Sequence, residues 1–532
     1  MALIGKARQG LFLPPFPVIL AVLAAGVATL PLFAVLVLAI TGTGADGYLQ
    51  HLASTRLPDY AINTALVLIT AATGAALIGT GLGWLIARTR FPGRSIFEWA
   101  LALPLAMPAY IAAYGWLDLT LAAGPLGALP TVRGWWGAGL IFAVTLYPYV
   151  YLLTRDAFLR QPPHLEEAAL ALGRSHLSAI LTVALPAARP AIAAGLALVA
   201  MEALADYGAV IHLGAPTLTV GVLRAWSGAG SLADAARLAV MIVGIALLLT
   251  TLERAGRSRA RSAGQRNAPA RTALGPVGSA LATLACLAPI ALALGAPLAR
   301  LAWHAWHAEP AQNIWHSSLN SISLAAVTAG LAAAFGLASA YALRSGGRLA
   351  AIPVRTAMLG YAAPGAVAAV GVLAVLGVVQ SGLDHAAGGL FPVLLTGTLL
   401  ALVFAYLTRF AAAAIGPCET ALARIPPSLD EASRLAGAGP VRRFWQVHWP
   451  LASGGILAAA LIVFVEVLKE LPATMILRPF NFDTLAVVAH NYASDERLGQ
   501  SALPALVLVA LALPAMAVVA RQAVAPRRIE LR

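Results

Sequence analysis

Uninterrupted apolar runs recur from one end of this chain to the other, and no other feature constrains its fold as strongly. An α-helix needs about 20 residues to cross the hydrocarbon layer of a bilayer, which is the length of these runs. A membrane-crossing strand needs about half that and alternates apolar with polar residues. The runs here are continuous and rich in Ala, Leu, Val and Gly. Backbone groups in lipid must satisfy one another, so the runs read as helices. Only 11% of the residues are charged and the mean hydropathy is +0.82, so lipid rather than water is the solvent for most of the chain.

Twelve spans are predicted, at 15–40, 60–87, 95–119, 136–158, 187–211, 233–252, 276–300, 317–343, 351–379, 389–414, 451–475 and 500–520. The expected class is all-α, integral to a lipid bilayer. The first run is longer than the apolar core of a cleaved signal peptide, so it is read as a retained span. With the N-terminus inside and alternating spans, 27 Lys and Arg residues fall on the cytoplasmic side, Arg155 and Arg409 among them. Seven fall outside, and Lys469 lies within a span. This bias places both termini in the cytoplasm. It also accounts for the formal charge of +13 without a nucleic-acid partner. Cys286 and Cys418 form no CxxC pair, so neither a disulfide framework nor a zinc site is implied.

The chain repeats itself. The segment from Pro162 through Leu165, Glu166 and Glu167 to Ala169 returns, 264 residues on, from Pro426 through Leu429, Asp430 and Glu431 to Ser433. The same shift relates Gly173 to Gly437, Pro186 to Pro450 and Glu202 to Glu466. Smaller shifts pair Thr154-Arg155 with Thr408-Arg409, Pro108 with Pro364 and Asn63 with Asn320. Six spans per half is an even number, so the halves are parallel repeats about an axis along the membrane normal, with a path between them. Residues 1–253 are read as the first repeat, with its loop at 160–190, and residues 276–532 as the second, with its loop at 424–454. The Arg-rich segment 254–275 is read as a flexible cytoplasmic linker.

In each loop a proline pair breaks the preceding helix. Leu165, Ala168, Ala169 and Leu172 recur at helical spacing and give a short amphipathic helix. Gly173 and Gly437 permit a turn that a Cβ resists, a second short helix follows, and Pro186 and Pro450 are expected to restart the next span. The product is a helix-turn-helix knob. Glu167-Ala168-Ala169, three residues, Gly173, nine residues and then Val183, Leu185 and Pro186 make the first copy. Glu431-Ala432-Ser433, Gly437, Val447, Trp449 and Pro450 repeat it at the same spacing. This resembles the EAA loop of ABC importer permeases of the MetI-like type, with Val for Ile twice and with Ser433 and Trp449 as further departures. The resemblance implies ATPase docking by Glu167, Ala168, Ala169, Gly173 and Pro186, and by Glu431, Ala432, Gly437 and Pro450. It implies that Glu167 and Glu431 hold the loop or bond the ATPase. It further implies two ATPase subunits, an external solute-binding protein and residence in a bacterial inner membrane. The chain has two lysines, Lys6 and Lys469, and neither lies in a GxxxxGK[ST] cradle. No cofactor and no enzymatic activity are therefore expected of it, and ATP belongs to the partner.

Further segments are similar to iron(III) permeases: Leu103–Tyr110, Met201–Gly208, and Leu468 to Leu485. Thiamine, phosphonate and polyamine permeases share much of this. Glu202 and Asp206, four residues apart, are expected on one face of the fifth span. Glu466 and Glu470 take the corresponding places in the eleventh, with Lys469 beside them. Charged groups within a span usually face a cavity or a partner. These five are candidate path or gate residues, and carboxylates from both halves suit a hard cation. The competing reading makes Lys469 a neutraliser that locks the halves. His304, His307 and His316 stand among Trp303, Trp306 and Trp315 and read as an interfacial aromatic belt rather than a metal site. A secondary transporter driven by an ion gradient is the alternative of another class, but it has no use for two docking loops.

Overall fold

The computed structural model describes residues 16–45, 47–261, 271–309, 311–345, 347–358, 360, 363–389 and 391–524. Among the described residues the chain is helical apart from one short parallel pairing of Thr89–Arg90 with Thr272–Ala273. Eleven helices are long and apolar enough to cross a bilayer, and one bent pair makes a twelfth. In chain order, spans 1 to 6 are Ile19–Thr41, Leu57–Arg88, the bent pair Arg94–Ala106 with Ala109–Thr120, Gly134–Arg160, His176–Ala205 and Leu232–Thr251. Spans 7 to 12 are Pro276–His307, Ile314–Arg344, Gly365–Ala386, Leu399–Ala423, Pro440–Leu468 and Leu498–Val524. The helix of span 6 continues to Arg261, so the first part of the expected linker is helical. Residues 262–270 lie outside the described residues.

Several spans differ from the apolar runs that encode them. Span 3 bends by 89°. Met107 is extended, as a residue before proline prefers, and Pro108 then opens the second helix. Pro364 likewise opens span 9, so that span starts at Gly365 rather than near 351, and Gly347–Ala357 is a separate helix. Spans 5 and 11 stop at Ala205 and Leu468, and after each break a short helix follows, Gly208–His212 or Pro472–Leu477.

Pro186 and Pro450 do not restart spans 5 and 11. The second knob helix and the span are one continuous helix in each repeat. A proline inside a helix collides with the carbonyl four residues back. Those carbonyls belong to Thr182 and Gln446, which lie within π turns at Ile180–Ala184 and Phe444–His448. The wider turn shifts each hydrogen bond to five residues back, from Leu185 to Ile180 and from Trp449 to Phe444. A third π turn, Ala291–Gly295, precedes Pro297 in the same way.

The two repeats are interlocked. Span 1 packs on spans 8, 9 and 10 of the second repeat, and span 7 packs on Ala109–Thr120 of the first. The two crossings match. A Cβ on Gly371 of span 9 would lie 2.3 Å from the carbonyl oxygen of Pro31 in span 1. One on Gly115 of span 3 would lie 2.6 Å from Cα of Pro297 in span 7. Glycine is what lets a proline-bearing first span approach the opposite repeat so closely.

Candidate functional site

The knobs lie at one end of the bundle. Their first helices, Pro163–Ala171 and Pro427–Leu435, close in the same way. Arg174 N donates to Ala169 O and Gly173 N to Leu170 O; Ala438 N donates to Ser433 O and Gly437 N to Arg434 O. This is a Schellman closure, and it needs the left-handed φ that Gly173 (+80°) and Gly437 (+74°) supply. A Cβ at either glycine would meet nothing within 4 Å, so the constraint there is the backbone rather than crowding.

The residues that seat the knobs are not Glu167 and Glu431, which are both exposed. Each knob is anchored by the acid one position earlier. Glu166 lies 3.1 Å from Arg88 at the end of span 2. Asp430 accepts from Arg344 Nη2 at 2.7 Å at the end of span 8, and from His448 at 2.6 Å, with Arg443 at 4.0 Å. Burial raises the Asp430 pKa, but the bonds from Arg344 and His448 outweigh it and hold the carboxyl below its ordinary value. The recurrence of an acid before the motif glutamate in both copies was a signal available in the sequence. Ala168 and Ala432 are exposed, while Ala169 is buried. Around the exposed glutamates stand Leu172 (83% exposed), Leu177, Leu435 (91% exposed) and Val441. An apolar surface of this kind, beside an exposed acid on a glycine turn, is what a partner groove requires.

Far along the same helices the path candidates meet around a cavity of about 70 Å³, room for a few waters. It is lined by Glu202, Asp206, Glu466, Glu470, Lys469 and Arg409, so all five expected residues are brought together. Asp206 and Glu470 are not on the helical faces that carry Glu202 and Glu466. They sit in the breaks and cap the helices that follow. Asp206 accepts from Ala209 N at 2.8 Å, and Glu470 accepts from the backbone of Ala473 and Thr474 at 3.1 and 3.2 Å. Lys469 pairs with Glu466 at 2.8 Å within its own repeat. Lys469 also reaches Leu105 O of the first repeat at 3.5 Å, and Arg409 bridges acids of the two repeats, lying 3.4 Å from Glu202 and 3.7 Å from Glu470.

Arg409 and Arg155 are not equivalents. Both spans 4 and 10 run unbroken into their proline pairs, yet Arg155 stands 7 residues before Pro162 and Arg409 stands 17 before Pro426. The difference of ten residues is about 15 Å of helix. Arg155 is therefore near the knobs, bonded to Glu98, while Arg409 lies deep in the bundle and does not belong in the loop tally. Counting back from the proline pair identifies Thr145 as its counterpart. Tyr110 also lines the cavity, and its buried hydroxyl has no hydrogen-bond partner among the described residues. Four carboxylates against two cations leave the lining at a formal −2.

Among the described residues no three His, Cys, Asp or Glu side chains are grouped to hold a resident metal. His304 pairs with Asp118, and Trp306 and Trp315 are exposed on the bundle surface, in keeping with the belt reading.

Comparison with known proteins bears on both features. The family model for the binding-protein-dependent transport system inner membrane component matches residues 79–255 and again 326–528. Over 511 residues the chain is 25% identical to the Fe(3+)-transport system permease protein of Haemophilus influenzae, covering 93% of this chain and 96% of that protein. A sulfate transport permease of Escherichia coli is 30% identical over 26% of this chain and 52% of its own length. A molybdenum transport permease of the same organism is 28% identical over 32% of this chain and 80% of its own length.

Proposed function

The chain belongs to the binding-protein-dependent transport inner membrane component family, the permeases of ABC importers, and we propose that its cargo is iron(III). The observation that carries this is the formal −2 of the cavity lining. Sulfate and molybdate are anions, and a narrow cavity lined by four carboxylates against two cations repels them. A hard cation prefers oxygen ligands, and the lining supplies carboxylates from both repeats together with the Tyr110 hydroxyl. The likeness to an iron permease over nearly the whole chain supports the same reading.

In this proposal one polypeptide supplies the whole pathway in a bacterial inner membrane, with the knobs in the cytoplasm. Two separate ATPase subunits dock on the knobs through Glu167 and Glu431 and the apolar side chains beside them, and an external solute-binding protein delivers the cargo. The chain itself is not an enzyme, and ATP is held by the partner. Closure of the ATPases on ATP draws the knobs together. The second helix of each knob is one piece with span 5 or 11. From Ala184 to Asp206 is about 33 Å of helix, so the movement arrives at the acid caps and at the Arg409 bridge. Opening that bridge separates the repeats, and hydrolysis resets them.

The test is uptake into proteoliposomes holding the chain with the ATPase and binding protein that copurify with it. ATP-dependent uptake of radioactive iron(III), with none of sulfate or molybdate, is the expected result. Uptake of either oxyanion without iron would refute the cargo assignment while leaving the permease role intact.

A further inference from the structure

On the knob side the first repeat gathers more positive charge than its acids neutralise. Arg94 and Arg155 share Glu98, at 3.0 Å from Arg94 Nη2 and 3.1 Å from Arg155 Nε. The parallel pairing of Thr89–Arg90 with Thr272–Ala273 brings the chain back beside span 2, and Leu274 N donates to Arg90 O. Arg271, one residue before this pairing, lies in the field of Arg90, Arg94, Arg155 and Glu98. Burial first, then Arg94, lowers the pKa of its guanidinium. Its enclosed Nε has no acceptor among the described residues. Four guanidiniums around one carboxylate leave a formal +3, a deficit that an anion would fill.

Beside this cluster a groove of about 700 Å³ opens between the Arg90–Pro92 turn and the first turns of span 7. Arg90 and Ser279 line it together with Phe91, Pro92, Leu274 and Pro276. The second repeat closes the corresponding seam. There span 1 packs closely along span 8 and Gly347–Ala357, whereas span 7 touches span 2 and Arg94–Ala100 only lightly. Val277, Leu281 and Leu284 are exposed on the face of span 7 that adjoins the one lining the groove.

We propose that this seam holds an anionic phospholipid, its phosphodiester headgroup on Arg90 and Arg271 and its acyl chains along Val277, Leu281 and Leu284. The planar guanidinium fork matches phosphate oxygens. Basic pockets between spans at the membrane surface attract such headgroups. The apolar walls, and the exposed apolar face of span 7 next to them, select a lipid over a free phosphate. The lipid fills on one side of the molecule the space that a helix fills on the other.

The test titrates the purified full chain with phosphatidylglycerol and counts retained lipid by native mass spectrometry, with thermal midpoints measured in parallel. Wild-type chain is expected to retain one phosphatidylglycerol. Arg90→Gln and Arg271→Gln should each weaken retention about fivefold, the effect of one arginine near a membrane surface. Arg424→Gln, at an exposed arginine beyond span 10, should not. Neither phosphatidylcholine nor inorganic phosphate should displace the lipid. Arg90 is exposed, so its variant carries the test if Arg271→Gln proves unstable. Equal retention by Arg90→Gln and Arg424→Gln would overturn the proposal. Displacement by inorganic phosphate would overturn it too, and would assign the site to a free anion.

Discussion

Among the described residues, Arg409 is the cation paired with acids of both repeats, Glu202 from the first and Glu470 from the second. Removing one partner of a buried ionic cluster costs about 3–5 kcal/mol, because the remaining charges stay buried without compensation. Arg409→Gln should therefore lower the thermal midpoint of the chain and abolish uptake. Glu466→Gln leaves Lys469 without its acid and should cost stability as well, but it keeps the bridge between repeats and should retain uptake; equal loss of uptake in the two variants would contradict the bridging role. A second expectation concerns Asp430. Its carboxyl is held below the ordinary range, so its clamp is fully present above about pH 4, the unfolded value, and is lost only as pH falls through the lower folded value. The stability gap between wild type and Asp430→Asn should be undiminished at pH 5 and shrink in stronger acid, as read by thermal melts across pH. The four path acids and Lys469 were legible because charge is rare in apolar runs. Arg409 was not, since Thr-Arg recurs in spans 4 and 10 and the short match concealed a shift of ten residues.

At the scale of elements, hydropathy located every span but not where the spans break. The apolar run through Pro108 is continuous, and the stretch from Leu185 through Asp206 carries Arg189, Glu202 and Asp206 without any change that marks where the helix stops. Prolines were the available signal for spans 3 and 9. For Pro186 and Pro450 the same signal pointed the wrong way, because a π turn absorbs the clash that would otherwise end the helix. That continuity makes each knob a lever. Gly173→Val with Gly437→Val puts a β-branched residue at positive φ in both turns, at a cost of roughly 1–2 kcal/mol each. The variant should remain folded in membranes, yet lose the stimulation of ATP hydrolysis by cargo-loaded binding protein. Undiminished stimulation would contradict the lever.

For the whole molecule, the internal repeat was plain in the sequence, but the exchange of first spans between the repeats was not, since nothing local in an apolar run states its neighbour. The pairs Gly115 with Pro297 and Gly371 with Pro31 carry that information only once the helices are placed. Because spans 1 and 7 each lie against the opposite repeat, a protease site inserted within residues 262–270 should, after cleavage, leave the halves copurifying and competent for uptake; separation on a sizing column would contradict the interlock. The two knobs drive the path, and the distance between nitroxide labels on Thr182→Cys and Gln446→Cys reads this out, at equivalent exposed positions on the two knobs, with the buried Cys286 and Cys418 replaced by alanine. In the reconstituted complex the distance should shorten when ATP is bound without hydrolysis and return after hydrolysis. An unchanged distance in a complex that still transports would show that the knobs do not drive the path.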